Sequence, residues 1–480
     1  MSQAGAEPYR PLFHFSPQEH WMNDPNGMVF YKGKYHLFFQ HYPGGTTWGP
    51  MHWGHATSKD LVHWEEQPIA LYPDSLGYIF SGSAVVDINN TSGFGKNGEP
   101  PMVAIFTHHD TAGERAHTGR HQSQSIAYSI DEGRTWTKYA GNPVLPNPGI
   151  SDFRDPKVSW YAPTQKWIMT LATKDRITFY SSPDLKHWNK ESEFGEHIGA
   201  HGGVWECPDL FPLEYKGKQH WVLFVSINPG GPNGGSATQY FIGDFDGHKF
   251  STNDTAIRWV DHGPDDYAGV TFSNTGNRRI FMGWMSNWQY AERVPTKAWR
   301  SANTVARDLT LKAVDGRLFL SSLPVPELKK IEAKPARVKK LEVRGQTDLS
   351  NYQSSASGTY SLAFNSPAIA DLELVISNAV GDELLIGYDP ASNEFYIDRT
   401  KSGVTGFDGG FGRRHTATRY STGNHISWKI LVDVASVELF ADDGVTVMTE
   451  IFFPEEPLVK LFMRSKKGMD LEQVDVSSIK

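Results

Sequence analysis

Short runs of aromatic and β-branched residues, separated by turns rich in glycine, proline and aspartate, fill roughly the first two thirds of the chain. Such runs are typical of strands, whereas an amphipathic helix would need apolar residues at helical spacing over a longer stretch. Residues 1 to about 320 contain no long stretch of helical period. The pattern therefore predicts an all-β fold for this part of the chain.

One kind of apolar run recurs five times along this part of the chain, at steps of 68, 64, 54 and 59 residues. A second pattern, an aspartate-rich turn closed by tryptophan, occurs at residues 60–64 and 184–188, and more loosely at 131–136. Five units of this size predict a five-bladed β-propeller in which each blade is a four-stranded meander. The five apolar runs begin at Tyr35, Val103, Trp167, Trp221 and Ile280.

The composition changes between residues 321 and 340, where three prolines flank a piece rich in lysine and glutamate. We interpret residues 326–340 as a linker with one short helix, placed between a propeller at 1–325 and a second domain at 341–480. Alternating strands such as 372–376 and 426–432 predict a β-sandwich there. We expect a scaffold that packs on the propeller, with carbohydrate binding as the alternative.

The charges exclude some partners. The 480 residues carry a net charge of -8 with intermixed signs, so neither nucleic acid nor an anionic membrane is expected to bind. Cys207 is the one cysteine, which excludes an intramolecular disulfide. Residues 1–7 lack an apolar core and no run long enough to span a bilayer occurs. We expect an extracellular mature form without its signal peptide, with a cytoplasmic protein as the alternative; the oligomeric state stays open.

Three carboxylates lie in conformationally restricted settings. Asp24 is followed by Pro25, Asn26 and Gly27, which predicts a tight turn just before a strand at 28–31. The other two are Asp155, in an Arg-Asp-Pro sequence, and Glu206, in a Trp-Glu-Cys-Pro sequence. Taken alone, each of these motifs is ordinary turn chemistry.

The spacing within the repeat relates the three carboxylates to one another. Asp24 precedes the first apolar run by 11 residues, Asp155 precedes the third by 12, and Glu206 precedes the fourth by 15. All three therefore fall on the innermost strand of a blade, which lines the axial channel of a propeller. We expect them to converge there, where like charges raise one another's pKa. Paired carboxylates of this kind are the groups that hydrolyse glycosides.

Five motifs stand at residues 21–27, 80–83, 154–156, 205–208 and 283–288. Their order resembles glycoside hydrolase family 32, the invertases, inulinases and levanases, and within it most closely the exo-acting levanases and exo-inulinases. The resemblance covers essentially the whole chain. One departure is the segment 265–269, where relatives usually carry an aromatic at the second place and alanine at the fifth, so one wall of the pocket is expected to differ.

The resemblance implies a retaining hydrolase of fructan and sucrose. In it Asp24 attacks the anomeric carbon of a β-fructofuranosyl unit, and Glu206 protonates the leaving oxygen and later activates water. Asp155 stays ionised, holds fructose hydroxyls and does not bond covalently. Retention further implies that the carboxyl groups of Asp24 and Glu206 lie about 5–5.5 Å apart. The positions that match the fructose-binding residues of relatives are Asn23, Gln40, Trp48, Ser81, Arg154 and Trp288.

The reaction needs no cofactor, and no metal site is expected. Four histidines at 108, 109, 117 and 121 lack the regular spacing of metal ligands. Residues 48–55 and 107–122 are expected to wall a closed funnel, which predicts release of single fructose units from chain ends. A fructosyltransferase on the same fold is the first alternative, and a non-catalytic fructan-binding propeller is the second.

Overall fold

The computed structural model describes residues 7–480, which form a five-bladed β-propeller followed by a β-sandwich. The predicted fold class is confirmed. The prediction about a signal peptide falls mainly on residues 1–6, which lie outside the described residues.

Each blade is an antiparallel sheet whose strands follow one another along the chain. The first blade contains β1 (His20–Tyr31), β2 (Lys34–Tyr42), β3 (His52–Ser58) and β4 (Trp64–Leu71). The second contains β5 (Tyr78–Val86), β6 (Met102–His109), β7 (Gln122–Ser129) and β8 (Thr137–Lys138). The third contains β9 (Phe153–Tyr161), β10 (Lys166–Thr173), β11 (Arg176–Ser182) and β12 (Asn189–Phe194). The fourth blade is β13 (Val204–Tyr215), β14 (Lys218–Asn228), β15 (Ala237–Phe245) and β16 (Phe250–Ser251). The fifth contains β17 (Tyr267–Thr271), β18 (Ile280–Met285), the short β19 (Trp299–Arg300) and β20 (Ala302–Asn303), then β21 (Arg307–Val314) and β22 (Arg317–Pro324).

The innermost strands β1, β5, β9, β13 and β17 contact their neighbours in a closed ring. The ring is joined between its last and first blades, because β19 pairs in parallel with β1 and Ser273 exchanges backbone hydrogen bonds with residues 28–30. Apolar side chains fill the wedges between adjacent blades. The aspartate-rich turns lie between the third and fourth strands of their blades. There Asp60 and Asp184 accept backbone N–H groups of their own turns.

The predicted turn at Asp24 is wrong, because residues 20–31 form one continuous strand. What the local sequence encodes is a β-bulge in which Asn23 and Asp24 together face Gln40 on β2. Pro25 fits there because it donates no ladder hydrogen bond, and Gly27 adopts φ +58° at a second irregularity.

Bulges of the same two-against-one kind interrupt all five innermost strands. They fall at the same level of each blade, where residues 23–24, 80–81, 155–156, 207–208 and 268–269 each face a single residue of the next strand. A bulge breaks the strict alternation of a strand and redirects its side chains. The propeller therefore has a ring of redirected side chains at one end of its axial channel.

The second domain is a ten-stranded sheet folded over one core. The long last strand β32 pairs with β25 through its first half and with β24 through its second half, so it belongs to both layers. The strands are β23 (Ala336–Asp348), β24 (Tyr360–Ser366), β25 (Leu372–Ser377), β26 (Glu383–Asp389), β27 (Glu394–Lys401), β28 (Arg414–Thr418), β29 (Ile426–Asp433), β30 (Ser436–Ala441), β31 (Thr446–Ile451) and β32 (Lys460–Ser478).

Within residues 7–480, helical structure is limited to four short pieces. The helix α1 (Thr111–Arg115) lies between β6 and β7, and 3-10 turns occur at Ala162–Thr164, Pro326–Lys330 and Ser350–Tyr352. The turn at Pro326–Lys330 falls within the predicted linker, whereas β23 begins at Ala336, before the predicted start of the second domain at 341.

Propeller and sandwich meet through buried charge. Arg307 of β21 contacts Asp261, Asp266 and Glu438 with its guanidinium, and all four side chains are at most 1% exposed. A second buried cation, Arg399 of β27, binds Asp265 of the propeller. Because unpaired charges are costly to bury, these pairs fix how the two domains dock.

Candidate active site

All nine site residues predicted from the sequence line one cavity of about 260 Å³ at the bulged end of the axial channel. Asp24, Asp155 and Glu206 come together there from the first, third and fourth blades. The six predicted binding residues surround them: Asn23, Gln40, Trp48, Ser81, Arg154 and Trp288. Side chains up to 265 positions apart in the sequence therefore meet around one cavity. The role of each of them stays a prediction.

Each of the five blades contributes a polar group to this centre from its innermost strand. Asp24, Ser81, Asp155 and Glu206 come from the first four blades, and Tyr267 comes from the fifth. All five lie in a bulge or directly beside one. The backbone is left-handed at Asp155 (φ +64°), a conformation that non-glycine residues adopt mainly where the surrounding structure enforces it.

Asp24 is held by three donors. Ser81 donates its hydroxyl to Oδ2 at 2.6 Å, and Asn23 donates its amide to Oδ1 at 2.9 Å. The Cys207 thiol lies 3.3 Å from Oδ2. Burial and the nearby charge of Glu206 raise the pKa of Asp24, and these three hydrogen bonds oppose the rise. The carboxylate is thus oriented by side chains from three blades.

Asp155 lies beside Asp24 and shares a neighbour with it. The backbone N–H of Cys207 donates to Asp155 Oδ2 at 3.0 Å, and the thiol lies 3.5 Å from the same oxygen. Burial raises the pKa of Asp155 to about 7, with Arg154 opposing the rise and the charges of Glu206 and Asp24 adding to it. This rise in the pKa of Asp155 runs against the expectation that its carboxyl group stays ionised.

Both carboxyl oxygens of Glu206 are hydrogen-bonded. Arg154 donates to Oε1 at 2.8 Å, and the hydroxyl of Tyr267 donates to Oε2. Arg154 is itself fixed by Asp152, which accepts from Nη1 at 2.7 Å. Burial, followed by the charge of Glu206, raises the pKa of Tyr267 well above its ordinary value, so the phenol keeps its proton and acts as a donor.

Sequence reasoning missed two residues that contact the carboxyl groups. Burial, followed by the charges of the three carboxyl groups, raises the pKa of the Cys207 thiol, which therefore stays protonated. Tyr267 could have been found, because it precedes the fifth apolar run by 13 residues, close to the spacing of the carboxylates. Segment 265–269 was expected to change one wall of the pocket because it departs from the pattern of relatives. Its second residue, Asp266, binds Arg307 and does not line the cavity.

The cavity is lined by further residues that the sequence did not assign to the site. Segment 107–122, expected to form a wall, contributes His109, Glu114, His121 and Gln122, and Phe80 and Asp152 complete the lining. Within residues 7–480, no group of three or more histidine, cysteine, aspartate or glutamate side chains has an arrangement suited to a metal ion. The described helices include none long and apolar enough to cross a membrane.

Three carboxyl groups in one propeller channel, two of them bound by hydroxyl donors and the third by a backbone N–H, are the arrangement expected of a glycoside hydrolase site. The chain belongs to glycoside hydrolase family 32. The model of the family's N-terminal domain matches residues 14–322, and the model of its C-terminal domain matches residues 327–480.

Curated relatives match over nearly the full chain. A levanase of Bacillus subtilis (strain 168) is 48% identical over 477 residues, covering 97% of this chain and 68% of the relative. An extracellular exo-inulinase of Aspergillus niger is 41% identical over 514 residues, covering 98% of this chain and 95% of the relative.

Solved structures agree with this assignment. The crystal structure of an exo-inulinase from Aspergillus awamori superposes with a TM-score of 0.90 at 37% identity and covers 99% of each chain. A fructofuranosidase variant from Schwanniomyces occidentalis, complexed with fructosylnystose, gives a TM-score of 0.89 at 35% identity, covering 100% of this chain and 99% of that one.

Proposed function

We propose that the protein is a retaining β-fructofuranosidase that releases terminal fructose from fructans and from sucrose. The observation that carries this proposal is the meeting of Asp24, Asp155 and Glu206 around one cavity, with donors on each carboxyl group. The relatives named levanase and exo-inulinase support the choice of a fructan as substrate. Those named extracellular support a location outside the cell.

In the proposed mechanism Asp24 attacks the anomeric carbon and the bond to the leaving oxygen breaks. Three hydrogen bonds orient the attacking carboxylate, so little motion is needed before reaction. Glu206 gives its proton to the leaving oxygen in this step. It then takes a proton from the water that releases fructose from Asp24, which restores both groups.

Asp155 and Arg154 act on the sugar without bonding to it covalently. Cys207 is a hydrogen-bond partner of both Asp155 and Asp24, so the two carboxyl groups are close together. Asp155 can therefore reach the hydroxyls of a fructose unit that is bonded to Asp24. The hydrogen bonds to those hydroxyls would become stronger as the fructose ring flattens. They would therefore stabilise the transition state more than the substrate. Trp48 and Trp288 would form the walls of this sugar site.

The shape of the site favours attack at chain ends. The cavity lies within the closed ring of innermost strands, so a terminal fructose can enter from the mouth, whereas a unit in mid-chain would need both of its ends to leave sideways. Segment 107–122 adds a wall on one side of the mouth. Single fructose units are therefore the expected product from levan and inulin.

A time course of levan, inulin and sucrose digestion, followed by thin-layer chromatography, tests the proposal. Free fructose from the first time point, without a ladder of oligosaccharides, is the expected result. An early ladder would mean an open cleft and attack within the chain, and cleavage of sucrose alone would mean an invertase. Growth of longer oligosaccharides at high sucrose concentration would favour a fructosyltransferase, and binding without turnover a fructan-binding protein.

A further inference from the structure

The outer part of the cavity is built by one segment of the second blade. Strand β6 ends at His109, the helix α1 follows, and β7 begins at Gln122. The side chain of Glu114 in α1 is 54% exposed although it lines the cavity, so it lies at the mouth. Asp110 caps α1 by accepting the N–H of Ala112 at 3.0 Å, which fixes the short helix in place.

Glu114 is oriented by a fixed histidine. The ring of His109 stacks on Phe80 with centroids 4.2 Å apart and is 4% exposed. Gln122 donates its amide to His109 Nδ1 at 3.2 Å, so in the neutral ring the proton is on Nε2, which donates to Glu114 Oε2 at 3.0 Å. Among the described residues this is the one hydrogen bond to the Glu114 carboxylate, and Oε1 can accept a further donor.

The same chain of contacts continues to the proposed proton donor. Gln122 Oε1 accepts from the backbone N–H of Phe153 at 2.8 Å and lies 3.5 Å from Arg154 Nη1. Arg154 in turn binds Glu206. Three side chains, His109, Gln122 and Arg154, thus connect Glu114 to Glu206. The leaving sugar must lie beside Glu206 while its oxygen receives the proton.

From this placement we propose that Glu114 is a specificity-determining residue that binds hydroxyls of the leaving sugar, with His109 as its positioning residue. An ionised carboxylate accepts two hydroxyl hydrogen bonds, which suits the adjacent hydroxyls of a sugar ring. His121 packs edge-on against His109, with ring centroids 5.4 Å apart, and completes this outer wall. The inference rests on the proposed function and adds to it the group that recognises the second sugar.

A comparison of two leaving groups tests the inference. Glu114→Ala is expected to lower kcat/KM about tenfold for sucrose and for a fructan trisaccharide, because a hydrogen bond to a charged group is lost. For an aryl β-fructofuranoside, whose leaving group has no sugar hydroxyls, kcat/KM should stay within about twofold by the same reasoning. His109→Phe should show the same selective loss, because it keeps the ring stacked on Phe80 and removes the donor to Glu114.

Glu99→Ala is the matched control, since Glu99 lies in the same blade, pairs with Lys32 on the surface and does not line the cavity. It should leave kcat/KM for all three substrates unchanged. Equal losses on sugar and aryl substrates in Glu114→Ala, or no loss on either, would overturn the role of Glu114. If the wild-type protein cleaves none of the substrates, the proposed function itself fails, so the two failures are distinguishable.

Discussion

Arg307 and Glu438 join the propeller to the sandwich through a fully buried ion pair, with Arg307 Nε 3.0 Å from Glu438 Oε2. The same guanidinium also lies 3.0 Å from Asp261 and from Asp266, so one cation serves three carboxylates. Burial alone would raise the pKa of Glu438, but Arg307 and His14 lower it to about 2. Glu438 thus connects the sandwich to a buried cation that the propeller residues Asp261 and Asp266 also bind.

Loss of this cation should destabilise the whole protein. Arg307→Met would leave three buried carboxylates without their common partner, and breaking a buried pair in this way costs about 3–5 kcal/mol. Thermal unfolding of the two proteins at pH 7 measures the effect. Arg337→Met is the control, because Arg337 forms an exposed pair with Asp475 and should change the stability by less than about 1 kcal/mol. Similar unfolding temperatures for both variants would contradict the importance of the buried pair.

His14 should make stability depend on pH on the alkaline side. Burial would lower the pKa of His14, but hydrogen bonds to Asp433 and Glu438, both at 2.7 Å, raise it to about 9. A group whose pKa is raised on folding contributes stability that is fully present below its unfolded pKa of about 6.5 and is lost as the pH rises through 9.

The difference in unfolding temperature between wild type and His14→Gln, measured from pH 6 to pH 10, isolates this contribution. The unfolding temperature of the wild type should exceed that of His14→Gln most near pH 6, and the difference should shrink toward pH 10. At high pH the neutral His14 ring can donate from only one of its two nitrogens. An advantage that stays constant across this range would mean that the histidine is not charged in the folded protein.

Asp24→Asn should abolish turnover of sucrose and levan while the fold persists, since the carboxylate supplies the nucleophile and little packing. A fall in kcat of at least about a thousandfold is expected from the behaviour of other catalytic groups that act as a unit. Steady-state kinetics together with the unfolding temperature measure both parts. Asp131→Asn, which alters a carboxylate in an outer turn of the second blade, serves as the control. Activity of Asp24→Asn within tenfold of wild type would refute its assigned role.

Ser81→Ala should move the acidic limb of the pH profile to higher pH. Attack requires Asp24 to be ionised, so kcat/KM falls as the pH drops through the pKa of Asp24, which burial and Glu206 already raise. Ser81 lowers that pKa by donating to Oδ2, and its removal should raise it further. The profile of kcat/KM with an aryl β-fructofuranoside reports the shift. A limb that is unmoved or moves to lower pH would show that Ser81 does not stabilise the charged form.

Glu206→Gln should separate the two steps of the reaction. Sugar leaving groups need a proton, so sucrose and levan are expected to react about 10²- to 10⁴-fold more slowly. A dinitrophenyl fructoside, with its acidic leaving group, should still transfer fructose to Asp24. Release of fructose from Asp24 would then be slow, and stopped-flow absorbance should show a burst of about one phenolate per enzyme. Equal losses on both substrates, with no burst, would argue against Glu206 as the proton donor.

The sequence by itself determined the blade period, the placing of the carboxylates on innermost strands and the presence of a second β domain. Apolar runs at regular intervals specify strands because each run must bury its side chains against a neighbouring blade, so the spacing of the runs determines the repeat. With that repeat, similar offsets of 11, 12 and 15 residues placed Asp24, Asp155 and Glu206 at the same level of the channel. Their meeting around one cavity was predictable for this reason.

The tertiary structure alone decided how those side chains are oriented and which residues form hydrogen bonds with them. The turn expected at Asp24 is a bulge, because β2 provides a pairing partner that the local sequence does not reveal. The contacts of Cys207, of Tyr267 and of Arg307 join residues far apart in the chain. Propensity and periodicity act over a few neighbouring residues, whereas such contacts depend on the register and docking of whole strands.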